Sequence, residues 1–516
     1  MENLLTQSVF GAENSVTIGI VTMVLFIPVL YVLRGYCKEG AYALMKKSAT
    51  KESVITVAVC LSAFLGFVIL IHSSYALGHG DRTVLLYFRE NWFFLSAIAM
   101  LLFFYPVKYW EKKALARVKK APSINATDAF ATVLIYAGTL LAVITGFLWI
   151  HNGANTDVAV ERLICVLLLS CPCAVSLVAP IALMSGMEKA EKKNIQFKNG
   201  ASLENLEGVD TVYVTKKRVI TQGQAKVDGV FAVRNNLTEV EVPYYFAVLA
   251  SMMQKNYYFA RKALQDRCKI WKVTLLPVES VTNVELEGVS GSVHGNRYFA
   301  GTLAYIAKQN IPVTTEVKQA YEEFLEKGKS VVLLANAEEV LMFVAIYDAV
   351  KEESLTAIRT LQNMHTKVVM LTEEDEVTAK AHGTFFGVND VVAYTTDAKL
   401  TELIRKKKEQ EQKVAVFGMG CKEATIRIGD FSDATVRIEG YQIQKLVEAV
   451  HISKEVMRYM KGNMWFLFFY HALSIPISAG VLYNRFAISM HPIIAAGIMC
   501  LSAMIVVGNT LRLRKE

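Results

Sequence analysis

Long apolar runs separated by short basic loops dominate both ends of the chain, and the block between them has the mixed texture of a folded soluble domain. Seven stretches are nearly free of charge: residues 15–33, 53–78, 91–107, 129–150, 163–187, 463–484 and 486–511. A helix of about 20 residues crosses about 30 Å of hydrocarbon, so most of these stretches predict membrane spans. The third is the shortest and lengthens only by extending into residues 83–90, which brings Arg89 and Glu90 to the interface. Any single run has a buried core helix as its alternative; seven together argue against that. The first run reads as a true span rather than a cleaved leader. It lacks a basic flank, Glu2 and Glu13 precede it, and no small-residue cleavage site follows.

The polar block, residues 188–461, alternates β-branched runs with charged helical runs, the pattern of an α/β domain. Val209–Thr215, Val368–Thr372 and Val414–Gly418 predict short buried strands. Each ends where a loop at the carboxyl edge of a parallel sheet carries chemistry. Residues 352–364 and 396–412 predict amphipathic helices. Between Thr221 and Phe343 the texture changes to a smaller insert, with two strands flanking the turn-like His294-Gly295-Asn296.

Charge sets the orientation. Arg34, Lys38, Lys46, Lys47 and Lys51 flank the first two spans, and Lys108, Lys112, Lys113, Arg117, Lys119 and Lys120 follow the third. Arg512, Arg514 and Lys515 end the chain, while the alternate loops such as 151–158 carry almost no basic residues. Cytoplasmic loops are the basic ones, which predicts an outside N-terminus and a cytoplasmic C-terminus. The net charge of +8 over 516 residues is then topology, and no nucleic-acid binding is read from it. The eight cysteines are scattered without a CxxC pair, so no disulfide framework is expected.

Cys171-Pro172-Cys173 lies in the middle of the fifth span. On an intact helix, residues i and i+2 point about 200° apart, so two thiolates cannot converge on one ion. The proline removes a backbone donor and breaks the turn. Unwound backbone at membrane depth is tolerated where it lines an enclosed site, and soft thiolates there favour Cu(I) or another soft metal. A kinked helix with two apolar buried cysteines is the plainer alternative. Tyr470 and His471 lie inside the sixth span, and an intramembrane histidine is a functional candidate. Met499 and Ser502 share one face of the seventh.

These residues resemble the heavy-metal P-type ATPases, specifically the copper-type branch, from about residue 16 to 514. Ser170-Cys-Pro-Cys-Ala-Val-Ser-Leu-Val-Ala-Pro180 is similar to the family's metal-binding span. Asn194-Ile-Gln-Phe-Lys-Asn-Gly200, Glu204, Leu206 and Val209-Asp-Thr-Val212 match the approach to its phosphorylation loop. Tyr470 with His471 stands at the branch's Tyr-Asn, and Met499, Ser502 and Ala503 stand at its Met-x-x-Ser-Ser. The ending Asn509-Thr-Leu-Arg-Leu-Arg514 is also similar, and residues 34–51 resemble the amphipathic elbow where copper is delivered.

The resemblance implies a helical membrane domain of about seven spans and a cytoplasmic α/β haloacid-dehalogenase-like P-domain with an inserted α/β nucleotide-binding-like domain. The implied partition is membrane helices in 1–187 and 462–516, P-domain in 188–222 and 346–461, and insert in 223–345. The implied metal ligands are Cys171, Cys173, Tyr470, His471, Met499 and Ser502, with Cu(I) as cargo. The implied setting is the cell membrane of a bacterium, with the lipid bilayer and a copper chaperone or another membrane protein as partners.

The machinery for phosphate departs from the family. Its Asp-Lys-Thr-Gly-Thr reads Thr215-Lys-Lys-Arg-Val219, so the nucleophilic carboxylate that forms an acyl phosphate is replaced by Thr215. Its Thr-Gly-Asp reads Thr372-Glu373-Glu374, and its Gly-Asp-Gly-x-Asn-Asp reads Gly418-Met419-Gly420-Cys421-Lys422-Glu423. Lys399 and Asp348 still match. The adenine-contacting His-Pro reads Tyr257-Tyr258, and the Gly-x-Gly loop retains Gly288 with Leu286 at the first glycine. Residues 108–128 stand where the family carries a whole actuator domain with its Thr-Gly-Glu loop. These changes leave magnesium and ATP doubtful as cofactors and predict a pseudo-ATPase acting as metal receptor, chaperone, regulator or subunit. The alternatives are a copper-translocating ATPase with an atypical or split cycle, and a membrane scaffold with a vestigial Cys-Pro-Cys. A further expectation gathers Lys216, Lys217, Arg218 and Lys422 at one rim as a magnesium-free anion site.

Overall fold

The computed structural model describes residues 14–46, 50–81, 84–85, 93–119, 121–233, 241–254, 260–483 and 490–514. The chain folds as two compact units, one comprising 1–189, 199–204 and 453–516, the other 190–198 and 205–452.

The helical unit opens with α1 (Ser15–Met45), α2 (Lys51–His79), α3 (Phe93–Val118), α4 (Pro122–His151), α5 (Thr156–Leu169) and α6 (Val175–Lys192). Thr50 caps α2 reciprocally with Ser53, and Gly80 closes it in the left-handed conformation at φ 70°. Val133, Leu140 and Phe147 repeat along one face of α4 and are 62, 63 and 66% exposed. A stripe of that size opposes water and suits lipid. Gly138, on the same helix, lets the chain approach Ser170, whose side chain a Cβ there would strike.

β1 (Ile195–Phe197), α7 (Gly200–Glu207) and β2 (Thr211–Thr215) precede the insert of the α/β unit. The insert runs through β3 (Lys226–Ala232), α8 (Glu241–Met253), α9 (Arg261–Trp271), β4 (Glu279–Val284), β5 (Gly288–Val293), β6 (Asn296–Gly301), α10 (Leu303–Lys308), α11 (Thr315–Glu326), β7 (Ser330–Ala335) and β8 (Val340–Tyr347). The chain then returns through α12 (Ser354–Asn363), β9 (Lys367–Leu371), α13 (Glu376–Phe386), β10 (Asp390–Val392), α14 (Asp397–Glu409), β11 (Val414–Phe417), β12 (Ile426–Gly429) and β13 (Val436–Ile438).

Two sheets result, ordered β1-β13-β12-β11-β2-β9-β10 and β3-β8-β7-β6-β5-β4. The first is parallel except for the antiparallel edge pair β1–β13. Its central strands are buried on both faces, as the β-branched runs require. The second is an antiparallel meander, and its β5–β6 hairpin turns on His294 and Gly295, both at positive φ. The three strands and two helices expected from the sequence all form.

The chain re-enters the helical unit along α15 (Ile443–Ser478), and α16 (Pro492–Leu511) closes it. Five helices among the described residues are long and apolar enough to cross a membrane: Val16–Met45, Lys51–His79, Phe93–Val118, Pro122–His151 and Pro492–Arg514. By length and composition these five are fewer than the seven stretches expected from the sequence. The fifth predicted stretch is split between α5 and α6. The sixth has no start of its own, because α15 is continuous from Ile443 and carries Asn463, His471 and Ser474 through the segment. Residues 86–92 and 484–489, parts of the third stretch and of the last two, lie outside the described residues.

Candidate functional site

In the helical unit, α5 ends at Leu169 and α6 begins at Val175, so the expected break falls on Ser170–Ala174. Unwinding carries Cys173 round towards Cys171. The two Cα atoms are 5.6 Å apart and the Sγ atoms are in direct contact. The other six cysteines are free. Both cysteines and Met499 are buried in one apolar cluster, with Tyr470 packed against it.

His471, on α15, is buried and its Nδ1 lies 2.9 Å from the Leu169 carbonyl. A carbonyl only accepts, so Nδ1 carries the proton and Nε2 keeps its lone pair. Among the described residues that Nε2 has no hydrogen-bond partner, nor does the Tyr470 hydroxyl. The Tyr470 ring stands edge-on to the imidazole at 4.9 Å. Ser502 instead donates to the Met499 carbonyl on its own helix, 2.7 Å away. The structure thus ties His471 to the break and turns Ser502 back on α16. Among the described residues no group of three His, Cys, Asp or Glu side chains is assembled for a metal ion.

In the α/β unit the central strand β2 lies between β11 and β9, so their carboxyl ends deliver Thr215, Gly418 and Thr372 to one edge. Gly418 has φ +97°, and a Cβ there would collide with Thr215 Oγ1 and Val219. Arg218 occupies φ +72° where the family's glycine stands, and its guanidinium lies 5.0 Å from the centre of the Tyr441 ring. Leu286 likewise sits at φ +63°.

These loops line a cleft of about 550 Å³ with Lys217, Glu373, Met419 and Asp348, and Lys262 and Asp266 reach it from the insert. Asp348 accepts from Thr221 Oγ1 at 2.6 Å and from the amides of Gly223 and Gln224. Lys216 also lines the cleft but is not free there. It is buried, and its Nζ donates to both Glu374 oxygens at 2.8 and 2.7 Å. His382 Nδ1 lies 2.8 Å from that ammonium and 3.0 Å from Glu374 Oε2. Ser330 of the insert donates to Glu374 Oε1, and Thr372 to Oε2 at 3.0 Å. Burial pushes the Glu374 carboxyl up, but Lys216 and His382 outweigh it and hold the group well below its ordinary range. Burial raises Glu373, against a lowering pull from Lys217.

Of the four cations expected at one rim, Lys216, Lys217 and Arg218 line the cleft, with Lys216 buried against Glu374, and Lys422 is not among the lining residues. Lys399 donates to the Ala393 carbonyl at 2.7 Å, and Glu423 is 3.5 Å from Lys408. Gly288 starts β5 under the Tyr305 ring, and Gly420 is exposed beside Met419. Tyr257 and Tyr258 lie outside the described residues. Sequence reasoning missed His382 and Ser330. A histidine on the apolar face of α13 was the available signal.

The fold is that of a P-type ATPase of the heavy-metal class. A zinc-transporting PIB-type ATPase in its E2.Pi state superposes with a TM-score of 0.64 at 16% identity, covering 97% of this chain and 99% of that one. No family model matches the chain. Its relatives by sequence are copper- and silver-transporting P-type ATPases. A probable copper-transporting ATPase of Synechococcus elongatus is 28% identical over 414 residues, 78% of this chain and 55% of that protein. A silver exporting P-type ATPase of Salmonella typhimurium is 28% identical over 77% of this chain and 50% of its own length. Copper-transporting ATPase 2 of Rhizobium meliloti is 29% identical over 77% and 50%. The chain spans about half the length of the curated relatives it matches. It is an integral membrane protein whose α/β unit is cytoplasmic.

Proposed function

We propose that this protein holds a soft monovalent cation, Cu(I), in its membrane domain and forms no acyl phosphate. The observation that carries this reading is the pair of sulfurs meeting at the Ser170–Ala174 break, with His471 tied through Nδ1 to Leu169 just before it and its Nε2 lone pair free. In the reduced protein, two thiolates and an imidazole nitrogen form a donor set suited to Cu(I). Met499 and Tyr470 complete the surroundings, and Ser502 sets the turn of α16. In this reading α5–α6 form one broken crossing and the end of α15 another, which gives seven. The membrane parts are then 1–187 and 462–516, and the insert 223–345. The basic elbow at residues 34–51 is the face for a copper-delivering protein.

Thr215 supports the absence of a phosphoenzyme, because a hydroxyl cannot form an acyl phosphate. Two of the cleft's carboxylates are engaged: Glu374 by Lys216 and His382, Asp348 by Thr221 and two amides. Only residues 119–121 separate α3 from α4, which supports the loss of the actuator. The relatives' printed names favour a second reading, translocation of copper or silver in an atypical or split cycle.

The test is competition of the purified full chain with bicinchoninate for Cu(I). About one ion per chain is expected. Binding that survives Cys171→Ser with Cys173→Ser, or no binding by the unaltered protein, overturns the metal reading.

A further inference from the structure

Lys51 is the first residue of α2, and the positive end of a helix dipole is an unfavourable place for a cation. The cap there is already made by Thr50 and Ser53. The ammonium turns instead into the unit, where Lys51 and Glu111 of α3 form an ion pair with side chains only 15 and 14% exposed. It also donates to Ser176 Oγ at 2.9 Å, and that hydroxyl donates to the Cys173 carbonyl at 3.0 Å. One hydroxyl therefore joins Lys51 to the backbone of Cys-Pro-Cys. Asp128 of α4 interacts with the same ammonium. The neighbouring acids Glu39 and Glu52 pair with Lys108 instead.

We propose that the Lys51 ammonium is a tethered cation that occupies the cytoplasmic approach to Cys171 and Cys173, so that a soft monovalent cation reaches the sulfurs only when Lys51 swings out. The carboxylates of Glu111 and Asp128 would draw a diffusing cation to the mouth of the break, and the resident ammonium cancels that pull. Two cations in a partly buried site repel strongly, so occupation is exclusive. The four-carbon stem gives the ammonium room to move between the mouth and the interface. This gate rests on the Cu(I) reading above, and its test is arranged so that the two fail separately.

The full chain in detergent micelles is mixed with the Cu(I)–bicinchoninate complex, and the rate of metal transfer is followed by absorbance. Lys51→Met, which keeps the reach and removes the charge, is expected to accelerate transfer about tenfold, while Lys51→Arg stays slow. A metal-free arm measures modification of the reduced cysteines by a trimethylammonium methanethiosulfonate and by its neutral methyl analogue. Lys51→Met is expected to speed the cationic reagent about tenfold and the neutral one little. Equal rates for Lys51→Met and the unaltered protein in both arms overturn the gate and leave a structural ion pair. Faster cationic modification without Cu(I) binding upholds the gate and sinks the Cu(I) reading. Should Lys51→Met not fold, Ser176→Ala removes one of the ammonium's two hydrogen-bond partners. It is expected to accelerate the cationic reagent about threefold, and no acceleration overturns the proposal.

Discussion

Replacing Lys216 with methionine would strand the Glu374 carboxylate in the middle of the α/β unit. That carboxylate is 2% exposed, and Lys216 is its one ammonium partner, at 2.7 Å. Ser330, Thr372 and His382 would remain as hydrogen-bonding neighbours. Breaking one side of a buried ion pair costs about 3–5 kcal/mol, because the remaining charge is uncompensated. The double variant Lys216→Met with Glu374→Gln removes both charges and should recover a large part of that loss. Guanidinium unfolding of the full chain, followed by circular dichroism, measures Lys216→Met, Glu374→Gln and the double variant. The expected coupling is about 2 kcal/mol or more, since residues sharing one network are not additive.

The same pair sets an acid limit. The folded carboxyl titrates well below its ordinary 4.5, so its contribution is fully present above that value. It is lost as pH falls through the folded value. The unaltered protein should weaken below pH 4.5, and Glu374→Gln should lose that part of the pH dependence. A Lys216→Met cost under about 1 kcal/mol with additive doubles would refute the buried-pair reasoning.

Gly418→Ala should destabilise the α/β unit by about 2–4 kcal/mol, because φ +97° is strained for alanine and the new Cβ meets Thr215; thermal unfolding checks it. Tyr321→Phe removes a buried 3.0 Å hydrogen bond to Thr378 Oγ1. Thr378 keeps Asp375 as a partner, so the cost should be about 1 kcal/mol by denaturant titration. His471→Ala should weaken Cu(I) binding at least about tenfold in the bicinchoninate competition, and an unchanged affinity would remove His471 from the ligand set.

The break at Cys171-Pro172-Cys173 was legible because proline acts on its own turn. The β2, β9 and β11 edge was legible because short β-branched runs announce buried parallel strands. What the sequence hides is pairing over distance. Lys216 reads as part of a basic rim until Glu374, 158 positions later, and His382, 166 positions later, are brought to it. Lys51 reads as a topological charge, yet its partners Glu111 and Ser176 lie 60 and 125 positions on. The helix start expected near residue 463 was hidden for a different reason: nothing local interrupts α15 there, so one helix of 36 residues runs through the boundary.

Incubation of the purified full chain with labelled ATP, magnesium and Cu(I), followed by acid quench, tests the central claim most directly. One preparation should bind about one Cu(I) per chain and yield no acid-stable phosphoenzyme above background. An acid-stable, hydroxylamine-sensitive phosphoenzyme that forms with Cu(I) would contradict it.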